Sequence, residues 1–512
     1  MEPKESKAPA AKIKAKRRAP KTTGKGKTQK QPVEGLRPIH QHAAGIDVGA
    51  QEHYVAAPPQ SVAEGQSTVR SFSAFTSGLD ALVEWLKQCG VTTVAMESTG
   101  VYWIALAQKL GEAGIEYVLA NARHVRNVPG RKTDVKDCQW LQELHSYGLV
   151  SGSFRPDEEI CKLRSLQRHR GNMVSSASAE IQHMQKALQQ MNVHLHHVVS
   201  DINGVTGLRI LDAILAGERD PKTLVKLRDP RVTRSTVAEM EEALQGDYRP
   251  EHVFVLRQSL ETFRFHQAQI EKCDHQIDTV LQDLAQKAQA SEAVGEQKEP
   301  PSQTPGTRIY HLAPGSDAGT PSAPSGALRR QKRPQKPTSQ TTINFRAHLQ
   351  TICGVDLTAV IGLNILSALI LISEIGVDMS RWRNAKAFCS WLGLCPGNKI
   401  SGGKVLSSRS RRVVNRAATI LRVAASTLGR SDCCLGHFYR RKKAHLGPAK
   451  AITATARKLA CIVYYMLKYK QEYREPDPAT YQAKIRNGRL ANLKRQAASL
   501  GFDIVANTSA SA

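Results

Sequence analysis

Nowhere do the 512 residues hold an apolar run long and clean enough to span a bilayer. The richest, Val360 to Ile375, is broken by Gly362, Asn364 and Glu374, so a protein in aqueous solution is expected. Cysteine lacks a pattern as well. The ten thiols, at positions 89, 138, 161, 273, 353, 389, 395, 433, 434 and 461, recur at no fixed interval and follow no secretory signal, which argues against a disulfide scaffold and for a reducing cytoplasm. The one local Cys/His group, Cys433, Cys434 and His437, lacks a second ligand pair, so zinc is not expected there. His194, His196 and His197 read as helix-surface residues. Neither a helix-turn-helix reader nor a zinc-finger spacing is recognisable. Acidic residues are scarce, 45 Asp+Glu against 72 Lys+Arg for a net charge of +27. Such an excess favours a polyanionic partner, because binding phosphates releases their condensed counterions.

The positive charge is unevenly placed. Residues 1–30 hold eleven Lys/Arg and two Glu, and residues 381–450 hold sixteen Lys/Arg with Asp432 the single acid. A surface of that composition is costly unless phosphates are at hand, so nucleic acid is the expected partner.

The length predicts two or three folded units. Residues 1–38 are Lys/Ala/Pro-rich with almost no large apolar side chains, which predicts a disordered basic arm. Residues 39–155 alternate between strand and helix patterns: strands over Ala44 to Val48, Tyr54 to Ala57, Thr92 to Met96 and Tyr117 to Ala120, and helices over Leu79 to Gln88, Tyr102 to Ala113 and onward from about Thr133. Residues 156–287 form a helical section. Within it Ile181, Met184, Leu188, Met191, Leu195 and Val198 follow the spacing of a coiled-coil seam, and Leu256, Leu260, Phe263, Ile270, Ile277, Leu281 and Leu284 a second, with Gln267 and Asp274 as polar interruptions. A hairpin folded on itself and a dimerisation arm explain the two seams equally well. Residues 288–343 have the Pro/Ser/Gly/Gln/Thr composition of a flexible linker. Residues 344–475 read as mostly α-helical around a Gly-rich loop at Gly397 to Gly403, and residues 476–512 as a loose polar tail.

Four acids stand out. Asp47 ends the first strand between Gly45 and Gly49; Glu97 directly follows the Thr92 to Met96 strand; Asp134 and Asp137, three apart on a helix, share one face. Taken singly, each has an ordinary structural explanation, as a turn residue or in a helix's first turn. Together they supply the oxygen ligands that two-metal phosphodiester chemistry requires.

That strand order resembles the ribonuclease-H-like fold of RuvC-type nucleases, which carry an Asp on the first strand, a Glu after the fourth and acids on a later helix. The segments Gly45-Ile46-Asp47-Val48, Glu97-Ser98-Thr99-Gly100-Val101-Tyr102-Trp103 and Arg131-Lys132-Thr133-Asp134-Val135-Lys136-Asp137 are more specific. They resemble the DEDD transposases of the insertion-sequence family one-ten, including its eleven-eleven subgroup, which are relatives of the Piv DNA invertase. Beyond the linker, Ile372 to Gly376, Phe388 to Pro396 with Trp391-Leu392-Gly393-Leu394, and Ser401-Gly402 resemble that family's C-terminal transposase domain.

The resemblance implies an α/β RuvC-type catalytic domain, a helical coiled-coil section and a mostly α-helical transposase domain. It implies Mg²⁺ or Mn²⁺ on Asp47, Glu97, Asp134 and Asp137, and a serine nucleophile at Ser401. Lys399, Lys404, Arg409, Arg411 and Arg412 are close enough in sequence to Ser401 to neutralise a phosphorane, and Arg131 and Lys132 join them as candidate nucleic-acid contacts. Double-stranded DNA, a structured guide RNA from the element, assembly as a homodimer or homotetramer, and residence in a bacterial cytoplasm at the nucleoid follow from the same resemblance. Two other functions fit the residues: a metal-dependent nuclease or junction resolvase that uses water, and an inert nucleic-acid-binding derivative.

Overall fold

The computed structural model describes residues 37–98, 100–120, 133–233, 235–294, 343–411, 413–475 and 478–505. Almost all of the expected basic arm and most of the expected linker lie outside the described residues, as do Arg131, Lys132 and Arg412. The chain divides into two compact units, residues 1–154 and 155–512.

In the first unit β1 (Ala43–Val48), β2 (Glu52–Ala56), β3 (Val69–Ser73), β4 (Thr93–Glu97) and β5 (Glu116–Ala120) form one sheet in the order β3-β2-β1-β4-β5. β1, β4 and β5 run parallel, while β2 and β3 are antiparallel to their neighbours. Strand β3 escapes the sequence pattern, because an edge strand reading Val-Arg-Ser-Phe-Ser has no fully buried residue. Its presence makes the Glu97 strand the fourth.

The strand alternation builds two different faces. Ile46, Val48, Val94 and Met96 pack with Leu79, Leu82 and Leu86 of α1 (Thr76–Gln88) and with Leu106 and Leu110 of α2 (Trp103–Glu112). Gly45, Asp47, Ala95 and Glu97 take the opposite face. There Ala95 and Ala120 pack against Leu141 of α3 (Asp134–Ser146).

The second unit is helical, comprising α4 (Glu158–Gln190), α5 (Leu195–Val198), α6 (Val205–Leu215), α7 (Pro221–Val225), α8 (Val237–Ala243), α9 (Pro250–Val294), α10 (Arg346–Cys353), α11 (Ile365–Ile375), α12 (Ala385–Trp391), α13 (Arg416–Thr427), α14 (Cys434–Leu446), α15 (Pro448–Tyr469) and α16 (Pro478–Ser499). Between α12 and α13 lie β6 (Lys399–Ser401) and β7 (Lys404–Ser407). The long helices α4 and α9 lie against each other, and Met184 and Leu188 share a core with Leu256, Leu260, Phe263 and Ile270. Of the two explanations for the seams, the hairpin is the arrangement found. The first seam is not one helix, since α4 stops at Gln190 and Asn192 turns to φ 56°. The polar interruption at Asp274 is a buried ion pair with Arg170, with N–O distances of 2.5 and 3.1 Å. Helix α4 also reaches α11: Arg168 grips the Glu374 carboxylate at 2.9 and 2.8 Å, and Arg164 donates to the Ser373 and Glu374 carbonyls at 3.1 and 2.6 Å.

Three segments differ from the sequence expectation. Helix α9 continues to Val294, past the linker start expected at 288, and packs against α10. The Gly-rich stretch is not a loop but the two-stranded β6–β7 ribbon. The supposed loose tail contains α16, because its Ala, Gln, Lys, Arg and Leu residues favour helix even without an apolar face. Among the described residues no helix is long and apolar enough to cross a membrane.

Candidate active site

The placement of the four acids begins with a glycine. On β1, Gly45 faces α3 so closely that an added Cβ would press on the Cys138 carbonyl and on the Gln142 backbone, whose Cα would be 2.8 Å away. The Gln142 side chain donates to the Ala43 carbonyl at 3.2 Å. At the other end of the helix, His145 hydrogen-bonds Thr93 at the start of β4, 3.0 Å away. Four residues of strand carry β4 from Thr93 to Glu97, about 13 Å. Eight residues of helix carry α3 back from His145 to Asp137, about 12 Å. Asp137 therefore comes level with Glu97.

Asp47 and Glu97 are neighbours across the β1–β4 pair, one step beyond the register Ile46↔Met96. Both are half-buried, as is Asp137, whereas Asp134 is exposed at the first position of α3. Thr133 caps that helix, accepting from the Lys136 amide at 3.3 Å. The two helical acids thus also favour the positive helix end, so the structural and functional explanations coexist at these positions. Cys138 reports the local field: burial, then the charge of Asp47, pushes its thiol up to about 12, with Asp137 adding to the effect.

The backbone thus brings all four acids to one sheet face at one end. The side chains stop short of a finished ligand shell, since among the described residues no three His, Cys, Asp or Glu groups converge closely enough to hold an ion. Their hard oxygen donors suit Mg²⁺ or Mn²⁺.

Two residues at this rim escape the sequence reading, Glu52 and Tyr54. Tyr54 sits directly across from Asp47 on β2 and donates to Glu52 at 3.2 Å. That hydrogen bond and the Glu52 charge hold the phenol above its ordinary value, with Asp134 contributing. The signal available was the alternation of Glu52 and Tyr54 on the Asp47 side of a hairpin.

Ser401 ends β6 and pairs with Lys404 across the Gly402-Gly403 turn. Both glycines have positive φ, 53° and 75°, as a two-residue hairpin turn demands. Ser401, Lys399, Lys404 and Arg409 are exposed. Arg411 is also exposed, but it donates to the Ser390 carbonyl at 3.3 Å. At the base of the ribbon the Gly397 amide donates to the Arg409 carbonyl at 2.9 Å. The nucleophile candidate is thus held on a short ribbon rather than a free loop.

Two family models match this chain, in sequence order. A DEDD transposase model of the IS110 group covers residues 44–193, and the model described as Transposase IS116/IS110/IS902 family covers residues 355–440. The first spans all four acids and the second spans Ser401. The chain belongs to the IS110 family of transposases, enzymes that cut and rejoin DNA. The DEDD match points to a divalent metal ion. The comparison with curated proteins found no match.

Proposed function

We propose that this transposase cuts DNA by covalent serine catalysis, with Asp47, Glu97, Asp134 and Asp137 of a RuvC-type domain as the metal ligands and Ser401 as the nucleophile. The observation that carries the reading is the position of Ser401, exposed at the last strand residue before a Gly-Gly turn and opposite Lys404. A hydroxyl presented this way reaches a phosphate without rearrangement of the backbone.

Ser401 Oγ attacks the scissile phosphorus, the bond to one deoxyribose oxygen breaks, and the serine proton ends on that leaving oxygen. A DNA phosphodiester becomes a phosphoserine diester of comparable energy, so rejoining needs no nucleotide. Lys399, Lys404 and Arg409 offset the charge that develops on the phosphorane. Bound Mg²⁺ supplies Lewis-acid stabilisation of the reacting oxygens. The packing of α3 on β1 sets the backbones of the four acids at one end of the sheet, from where they would hold it. A structured RNA of the element pairs with the DNA and selects sequence, and Arg131 and Lys132 contact nucleic acid in a homodimer or homotetramer.

The test incubates protein, Mg²⁺, element-end DNA and co-purified RNA, denatures the mixture and looks for a protein–DNA adduct. An adduct that disappears in Ser401→Ala is expected. Cleavage by Ser401→Ala without an adduct would establish the water-using nuclease instead. Absence of any cleavage, unchanged by Asp47→Ala, would establish the inert derivative.

A further inference from the structure

Helices α14 and α15, joined by the single residue Gly447 at φ 76°, pack on each other and gather cations that neither the four acids nor Ser401 accounts for. Around the ring of Phe438 stand the Arg441 guanidinium at 5.7 Å, the Lys442 ammonium at 5.8 Å and the Lys458 ammonium at 4.9 Å. An aromatic face attracts each cation. It does not cancel the mutual repulsion of three like charges crowded around one ring.

The segment carries no carboxylate of its own. From Cys433 to Gln471 there are nine Lys/Arg and no Asp or Glu. The flanking acids are engaged at the other end of α14: Asp432 pairs with His437 at 3.1 Å, and Glu475 accepts from the Cys434 amide at 2.9 Å. The negative end of the α14 dipole supplies at most about half a charge. Burial, with Arg441 nearby, already holds the Lys458 ammonium below its ordinary value.

The same face of α15 continues with aromatics. Tyr465 lies seven residues, two turns, beyond Lys458, and Tyr469 one turn further. The two tyrosine rings are nearly parallel, 11° between planes with centroids 6.0 Å apart, and are 38% and 48% exposed. In a chain with only 5% aromatic residues, two stacked rings open to solvent beside three clustered cations form a phosphate-plus-base surface. A duplex would use the cations and leave the ring faces idle, since its bases are stacked inward. An unpaired strand uses both.

We infer that the face of α14 and α15 bearing Phe438, Arg441, Lys442, Lys458, Tyr465 and Tyr469 binds an unpaired nucleic-acid strand, with phosphates on the three cations and bases stacked on the two tyrosines. The inference rests on the chain being a nucleic-acid enzyme, and is independent of Ser401 and the carboxylates.

The test measures binding of the full-length protein to a labelled 20-nucleotide oligouridine, an oligothymidine of the same length and a mixed-sequence 20-base-pair duplex, across a salt series. Tyr465→Ala/Tyr469→Ala is expected to weaken both single strands about tenfold or more, with the duplex changed less than about twofold. Tyr465→Phe/Tyr469→Phe, which keeps the ring faces, restores binding. Arg441→Gln/Lys442→Gln/Lys458→Gln lowers the single-strand salt slope by about 2. Unequal loss between oligouridine and oligothymidine identifies RNA or DNA as the natural strand, and either supports the surface. Single-strand affinity unchanged in the Ala pair, or an equal loss for the duplex, overturns it. Ser401→Ala serves as a control: it removes the adduct of the serine mechanism but leaves strand binding intact, so failure of either idea is visible separately.

Discussion

Gly45 and Cys138 are in contact through absence: the side chain missing from Gly45 is the space that the Cys138 carbonyl occupies. This closeness brings the first turn of α3, with Asp134 and Asp137, alongside the strand end that bears Asp47. Gly45→Ala is therefore expected to push α3 off the sheet. The substitution should cost about 1–3 kcal/mol of stability and reduce DNA cleavage far more than its loss of folded protein explains. Thermal melting and cleavage assayed below the melting range check it. Unchanged melting together with unchanged cleavage would show that α3 does not depend on the gap.

The far end of the same helix carries a pH dependence. Burial, and secondly the nearby His40, lowers the His145 pKa from 6.5 to about 4. His40 stacks on it at 5.1 Å. Between about pH 6.5 and 4 the unfolded chain binds a proton that the folded chain refuses, so stability falls as pH falls through that window, by up to about 3 kcal/mol. His53, also buried with a lowered pKa, adds its own share, so the informative measurement is a difference. His145→Gln, which can keep a bond to Thr93 without titrating, should flatten the melting temperature profile of the protein from pH 7 to 4.5 relative to the parent. Parallel profiles would refute the assignment.

How far residues alone revealed this arrangement can be seen at particular positions. Strands β1 and β4 were legible because both are almost wholly buried and read as continuous apolar runs, and the Asp134/Asp137 helix because Thr133 opens it with a cap. Edge strand β3 was not legible, having only half-exposed or exposed side chains. The four acids could be assigned to strand ends and a helix face. Their placement at one end of one sheet face could not, because it depends on a missing Cβ at Gly45 and on the Thr93–His145 bond between residues 52 apart. The β6–β7 ribbon was hidden by its shortness, although a Gly-Gly pair between Ile400 and Val405 is itself a hairpin signal.

Long sequence separation also hid the partner of Asp274. Arg170 lies 104 residues earlier, and the two side chains are 4% and 1% exposed. Removing one partner strands a buried charge, so Arg170→Met should destabilise the α4–α9 hairpin by about 3–5 kcal/mol, whereas Arg170→Met/Asp274→Leu should recover most of that loss. Urea denaturation of the three proteins decides the matter. A double variant no better than the single one would mean that the pair contributes more than the cost of desolvating it.

Thiol reactivity offers a test in the second unit. Cys389 on α12 and Cys461 on α15 have their sulfurs 3.5 Å apart. The hydrogen bond between them lowers the Cys461 pKa, and the charges of Arg457 and Lys458 act in the same direction against burial. Cys389 is pushed the other way, by the same bond and by burial. Of the two thiols, Cys461 is therefore the readier to ionise. Cys161, Cys395 and Cys461 are the half-exposed thiols. With iodoacetamide near pH 7, where the thiolate rather than the thiol displaces iodide, Cys461 should be alkylated ahead of Cys161 and Cys395. Cys389→Ala removes the hydrogen-bond partner and should slow the reaction of Cys461 while leaving the other two unchanged. Peptide mapping by mass spectrometry over a time course reads all three at once. If Cys389→Ala leaves the Cys461 rate as it was, the charge of Arg457 and Lys458 rather than the Cys389 bond activates this thiol; if Cys395 reacts first, neither does.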